Sequence, residues 1–122
     1  MKIPGPDHPI TISRNINRVR VTFGGKVIAD TTRALTLQEA NYPPVQYIPR
    51  ADVDMAQLKR TQRTTHCPYK GEASYFTIGG GGKGENAVWS YETPFSAVAQ
   101  IAEHVAFYPN RVDAIEEMET PP

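Results

Sequence analysis

One cysteine, Cys67, stands alone in 122 residues. No internal disulfide can form, and no Cys-x-x-Cys pair exists to hold a structural zinc. Net charge is missing too, since thirteen Lys and Arg balance thirteen Asp and Glu. A broad grip on nucleic acid or an anionic membrane needs clustered positive charge, so neither partner is expected. No apolar run approaches the length of a membrane span, and Met1–His8 has no apolar signal core. A reduced, cytoplasmic setting is therefore expected. His8, His66 and His104 are scattered without ligand spacing, so neither a metal nor a cofactor is expected.

Proline, by contrast, is plentiful: eleven of 122 residues, against a usual share of about 5%. Spread along the chain, it disfavours helix interiors and favours short strands and turns. Hydrophobic residues make up 39%, enough for one core in a chain of this length. Residues 1–17 read as an N-terminal arm, 18–115 as a single domain and 116–122 as an acidic tail.

Val19-Arg20-Val21-Thr22-Phe23 alternates strictly, and Gly24-Gly25 then leads into Lys26-Val27-Ile28-Ala29. Two such runs joined by Gly-Gly predict a two-residue hairpin. Further strands are expected over 34–37, 45–49, 73–78, 86–92 and 105–108, with 112–115 as partner of the last. The prolines flanking 45–49 suit strand ends rather than a central ladder. Two short helices are expected, one capped by Asp52 over 53–60 and one from Pro94 to about Glu103. The fold class is mainly β.

Gly79, Gly81 and Gly84 match the spacing G-x-G-x-x-G, but a strand rather than a helix follows. A plain hairpin loop is the expected reading. The richest stretch is Thr64–Tyr75, which holds His66, Cys67, Lys70 and two tyrosines. Cys67 is the candidate sulfur nucleophile, although its neighbour His66 points to the other side of an extended chain. Lys70, between a turn proline and Gly71, could bind an anionic group or act as an amine; the plain alternative is a solvated turn lysine. Tyr47, Tyr75, Trp89 and Tyr91 would stack a planar ligand or else fill the core. Arg33 and Arg50 could clamp a carboxylate or phosphate.

Arg33-Ala34-Leu35, Tyr42-Pro43-Pro44-Val45, Tyr47-Ile48-Pro49-Arg50, Thr65-His66-Cys67-Pro68-Tyr69-Lys70-Gly71, Ala73-Ser74-Tyr75 and Ala87-Val88-Trp89-Ser90-Tyr91 together resemble the domain-of-unknown-function family 427 over about residues 18–115. The resemblance implies a β-tent of coiled antiparallel sheets, as in cereblon's ligand-binding domain and methionine sulfoxide reductase B. Many such relatives hold zinc through paired C-x-x-C motifs, which this chain lacks. The family's label suggests nucleotidyl transfer, yet no Gly-Ser plus paired-aspartate signature is present. The family motif falls on Arg33, Tyr47, Cys67, Lys70, Tyr75, Trp89 and Tyr91, which favours a functional Lys70.

The favoured reading is a binding module for a small planar or anionic metabolite in an aromatic and basic pocket. A small enzyme using Cys67 or Lys70, and a protein-interaction domain, are the alternatives.

Overall fold

The short alternating runs of the chain become ten strands: β1 (Ile10–Arg14), β2 (Arg18–Phe23), β3 (Lys26–Thr31), β4 (Leu35–Glu39), β5 (Val45–Pro49), β6 (Leu58–Cys67), β7 (Gly71–Ile78), β8 (Val88–Ser90), β9 (His104–Phe107) and β10 (Ala114–Met118). The structure is a computed structural model that describes residues 1–119. The protein is mainly β, with a seven-stranded sheet in the order β1-β4-β5-β9-β8-β7-β6 and a three-stranded sheet in the order β10-β2-β3. Every strand pairing is antiparallel.

Side chains two apart share a face and neighbours oppose, so the large sheet feeds two separate cores. Ile48, Phe76, Val105 and Phe107 meet Val19, Val21 and Ile28 of the small sheet. Their neighbours Tyr47, Tyr75 and Ala106 point the other way, joining Leu37, Ala73, Tyr91, Val98 and Ile101. The β2–β3 hairpin turns on Gly24 and Gly25, with φ of 59° and 77°, the left-handed values that a two-residue turn demands.

Several elements differ from expectation. Within the stretch read as an arm, Ile10–Arg14 forms β1 and pairs with β4. The helix expected from Asp52 is absent: only the 3-10 turns Arg50–Asp52 and Met55–Gln57 occur. The Asp52 carboxylate instead accepts from Thr31 Oγ1 at 2.6 Å and from the Arg33 guanidinium at 3.1 Å. From Leu58 the chain is already β6, paired with β7 starting at Leu58–Ile78.

The second expected helix is Ser96–Ile101, a pair of 3-10 turns broken at Val98, which with Ile101 is buried. β5 lies inside the sheet rather than at its edge; Pro49, which lacks an N–H, comes last in the strand, opposite His104. The run at 112–115 supplies β10, but β10 pairs with β2, not β9. Glu116 and Glu117 of the expected tail belong to that strand, and residues 120–122 lie outside the described residues. No helix of the described residues is long and apolar enough to cross a membrane.

Candidate functional site

The turn that joins β6 to β7 closes with Cys67 opposite Gly71. Gly71 takes φ +107°, and a side chain there would sit 3.6 Å from the backbone of Thr93 and Phe95. Phe95 N donates to Lys70 O at 3.0 Å. Pinned on both sides, Lys70 points inward. Its ammonium bonds to Glu39 Oε1, and Glu39 Oε2 is 2.7 Å from His8 Nε2. The Lys70 and Glu39 side chains are 12% and 11% exposed, and Nζ lies 5.7 Å from the Tyr91 ring centre. Lys70 is thus a paired, mostly buried cation rather than a solvated one.

Burial acts to raise the Glu39 carboxyl, but the hydrogen bonds and charges of Lys70 and His8 outweigh it and hold it below the usual range. Residues 2–9 lie across this pair. Lys2 N donates to Pro68 O at 2.7 Å, the His8 ring stacks on Tyr69 at 4.0 Å, and Ala40 N donates to Pro9 O at 2.8 Å.

Of the residues singled out from sequence, Cys67, Tyr47, Tyr75, Trp89 and Tyr91 come together on this face of the large sheet. Tyr47, Tyr75 and Tyr91 are buried in the core, while Trp89 is half-buried. Burial first, and then the charge of Glu39 among others, pushes the Tyr47 and Tyr91 hydroxyls up. The Tyr75 hydroxyl is 3.0 Å from Thr65 Oγ1 and 3.4 Å from the Tyr108 hydroxyl. Burial raises it, but hydrogen bonds from Thr65, Tyr108 and Arg63 prevail and lower it, while burial leads in pushing Tyr108 up to about 12.

The two arginines lie apart from Lys70. Arg33 pairs with Asp52 at the surface, and Arg50 pairs with Glu92 at 2.8 Å against the opposite face, its guanidinium 5.5 Å from the Phe76 ring centre. Among the described residues no three His, Cys, Asp or Glu side chains come together in a way that could hold a metal ion.

Open space lies next to Trp89. β5 pairs with β9 through Ile48–Val105 and Pro49–His104, and there the ladder ends. Where the strands part is a cavity of about 240 Å³, with Pro44, Val45 and Gln46 on one bank and Phe107 and Pro109 on the other. Trp89, Val21 and Ile115 also line it. The Gln46 carboxamide oxygen accepts from Asn15 Nδ2 at 3.1 Å and Thr36 Oγ1 at 2.9 Å, so its amide hydrogens have no described partner. A second cavity, about 430 Å³, is lined by Arg63, Glu85, Asn86, Tyr108, Asn110 and Arg111. The Trp89 and Tyr108 rings, one in the wall of each cavity, lie 4.4 Å apart.

Sequence reasoning considered His8 only as a metal ligand and assigned no role to Glu39, Gln46, Arg63, Tyr108 or Arg111. The one available signal was the period-two alternation through Ala106, which sets Tyr108 on the Tyr47 face. Nothing in the sequence marks pairs 31 residues apart such as Lys70 with Glu39.

No curated protein matches the chain. Residues 11–118, from β1 into β10, match the family described as "Domain of unknown function (DUF427)", and the chain belongs to that family.

Proposed function

We propose that this protein is a binding module for a small, flat, mostly apolar molecule seated in the cleft where β5 and β9 part. The observation that carries the reading is the lining of that cleft: apolar side chains, one indole wall from Trp89, and one carboxamide, Gln46, with hydrogens left to donate. Ligand sites are mostly apolar concavities with a few placed polar groups. At about 240 Å³ the cleft suits a one- or two-ring compound carrying a carbonyl or similar acceptor.

In this reading Tyr47 orients the indole, while Lys70, Glu39 and Tyr91 brace the sheet beneath rather than touch the ligand. Lys70 takes no catalytic part, because it is engaged by Glu39.

Trp89 is the only tryptophan, so its emission reports occupancy directly. Screening flat one- and two-ring carbonyl compounds by Trp89 fluorescence should yield a saturable change. Ile115→Phe, which adds bulk in the cleft, should abolish that change without unfolding the protein. A hit that binds the Ile115→Phe variant equally well would refute this placement.

A further inference from the structure

We infer that the cavity framed by Arg63, Asn86, Tyr108 and Arg111 binds the oxyanion group of a small metabolite, as a site independent of the Trp89 cleft. Five arginines, Arg18, Arg20, Arg33, Arg50 and Arg60, have an aspartate or glutamate partner. Arg63 and Arg111 have none among the described residues, yet both line this cavity. Arg14, also without one, lies on β1 at the opposite edge of the sheet from β6. Two guanidiniums left without carboxylates around one cavity form a donor set suited to a carboxylate or phosphate ester.

The backbone holds each of these groups in place. Arg63 falls where the β6–β7 register shifts between Arg60 and Thr64, and such an irregularity re-aims a side chain. Its guanidinium packs 4.9 Å from the Tyr75 ring centre. Asn86 has a left-handed φ of 50°, fixed by Asn86 N donating to Thr77 Oγ1 at 3.1 Å and by Thr61 Oγ1 donating to its Oδ1 at 2.6 Å. That leaves the Asn86 amide hydrogens to donate. Arg111 ends the 3-10 turn Pro109–Arg111, its N bonded to Tyr108 O at 3.0 Å. The volume, about 430 Å³, admits the anionic group together with a small organic body.

Glu85 stands on the same wall and opposes an anion, which supplies a control of opposite sign. The guanidiniums are exposed, so binding of a bare anion is screened and falls on the order of millimolar at low salt. Titration of the whole protein with inorganic phosphate and, separately, with benzoate, at ionic strength held constant with chloride, can be followed by amide chemical shifts. Saturable shifts should centre on residues 63, 86, 110 and 111, leaving 45, 46 and 107 in the Trp89 cleft unmoved. Saturation by phosphate alone assigns a phosphate ester, and by benzoate alone a carboxylate.

Arg111→Gln should weaken binding by about fivefold or more, and Glu85→Gln should tighten it by about twofold. The proposal is overturned if neither anion gives saturable shifts by roughly 50 mM. It is equally overturned if the folded Arg63→Gln/Arg111→Gln double variant binds as tightly as the parent, or if Glu85→Gln weakens binding.

Discussion

Trp89 Nε1 donates to the Tyr47 hydroxyl at 3.3 Å, with the two ring planes at 88° and their centres 6.4 Å apart. The two residues sit on β5 and β8, with β9 between them. Trp89 is directly opposite Ala106, and the small alanine leaves room for the rings to meet above it. Tyr47→Phe keeps the ring but removes the acceptor, stranding an indole N–H. The expected loss is about 1–2 kcal/mol in denaturant unfolding, with a change in Trp89 emission in the folded protein. An unaltered emission spectrum would show that the bond is not made in solution.

Lys70→Met tests the buried pair. The change leaves the Glu39 carboxylate with His8 as its one described partner. Removing one member of a buried ion pair destabilises strongly, here by about 3 kcal/mol. Adding Glu39→Gln should recover part of that loss, since the charge no longer lacks its partner. Additive effects of the two substitutions would show that the residues do not interact.

Acid should unfold the protein through its bound carboxyls. Glu92 takes both Arg60 nitrogens at 2.7 Å and Arg50 at 2.8 Å. The Arg60 hydrogen bond is the main cause that lowers the Glu92 carboxyl from 4.5 to about 2. A carboxyl held down by folding adds stability that is fully present above its unfolded value. That stability is lost as pH falls toward the folded value. Thermal midpoints should therefore decline between about pH 4.5 and 2, and Glu92→Gln should flatten the decline. A slope identical in the variant would place the acid sensitivity elsewhere, with Glu39 next in line.

Gly84 and Gly80 should answer to alanine to very different degrees. A Cβ on Gly84 would lie 2.6 Å from Ile78 O and 2.9 Å from Phe23 Cζ, whereas Gly80 has open space around it. Gly84→Ala should destabilise by about 2 kcal/mol or more, and Gly80→Ala by no more than about 0.5 kcal/mol. Calorimetry of the two variants makes the comparison. The last glycine of the G-x-G-x-x-G spacing is thus required by packing against Ile78 and Phe23.

The parts of this fold legible in sequence are those set by local rules. Strict alternation with a Gly-Gly turn specifies β2 and β3, and runs of aromatic and β-branched residues mark β7, β8 and β9. β6 escaped because Lys59-Arg60-Thr61-Gln62-Arg63 carries no apolar rhythm; it becomes a strand through its pairing with β7. β1 escaped because prolines precede it, and its pairing with β4 is not written locally. Asp52 reads as a helix cap by residue type, yet the competing donors Thr31 and Arg33 arrive from another part of the chain. The aromatic cluster was legible by type and spacing. The partner of Lys70 and the space beside Trp89 were not, because both depend on contacts between distant strands.

The polarity that hid β6 also has a colloidal consequence. This strand forms one rim of the large sheet, where unsatisfied main-chain groups invite stacking by another molecule. Two copies aligned there would confront Lys59 and Arg63 with like charges, so the rim can stay uncovered at high concentration without seeding fibres. Neutralising those two positions should shorten the time to turbidity even if the folded state stays equally stable.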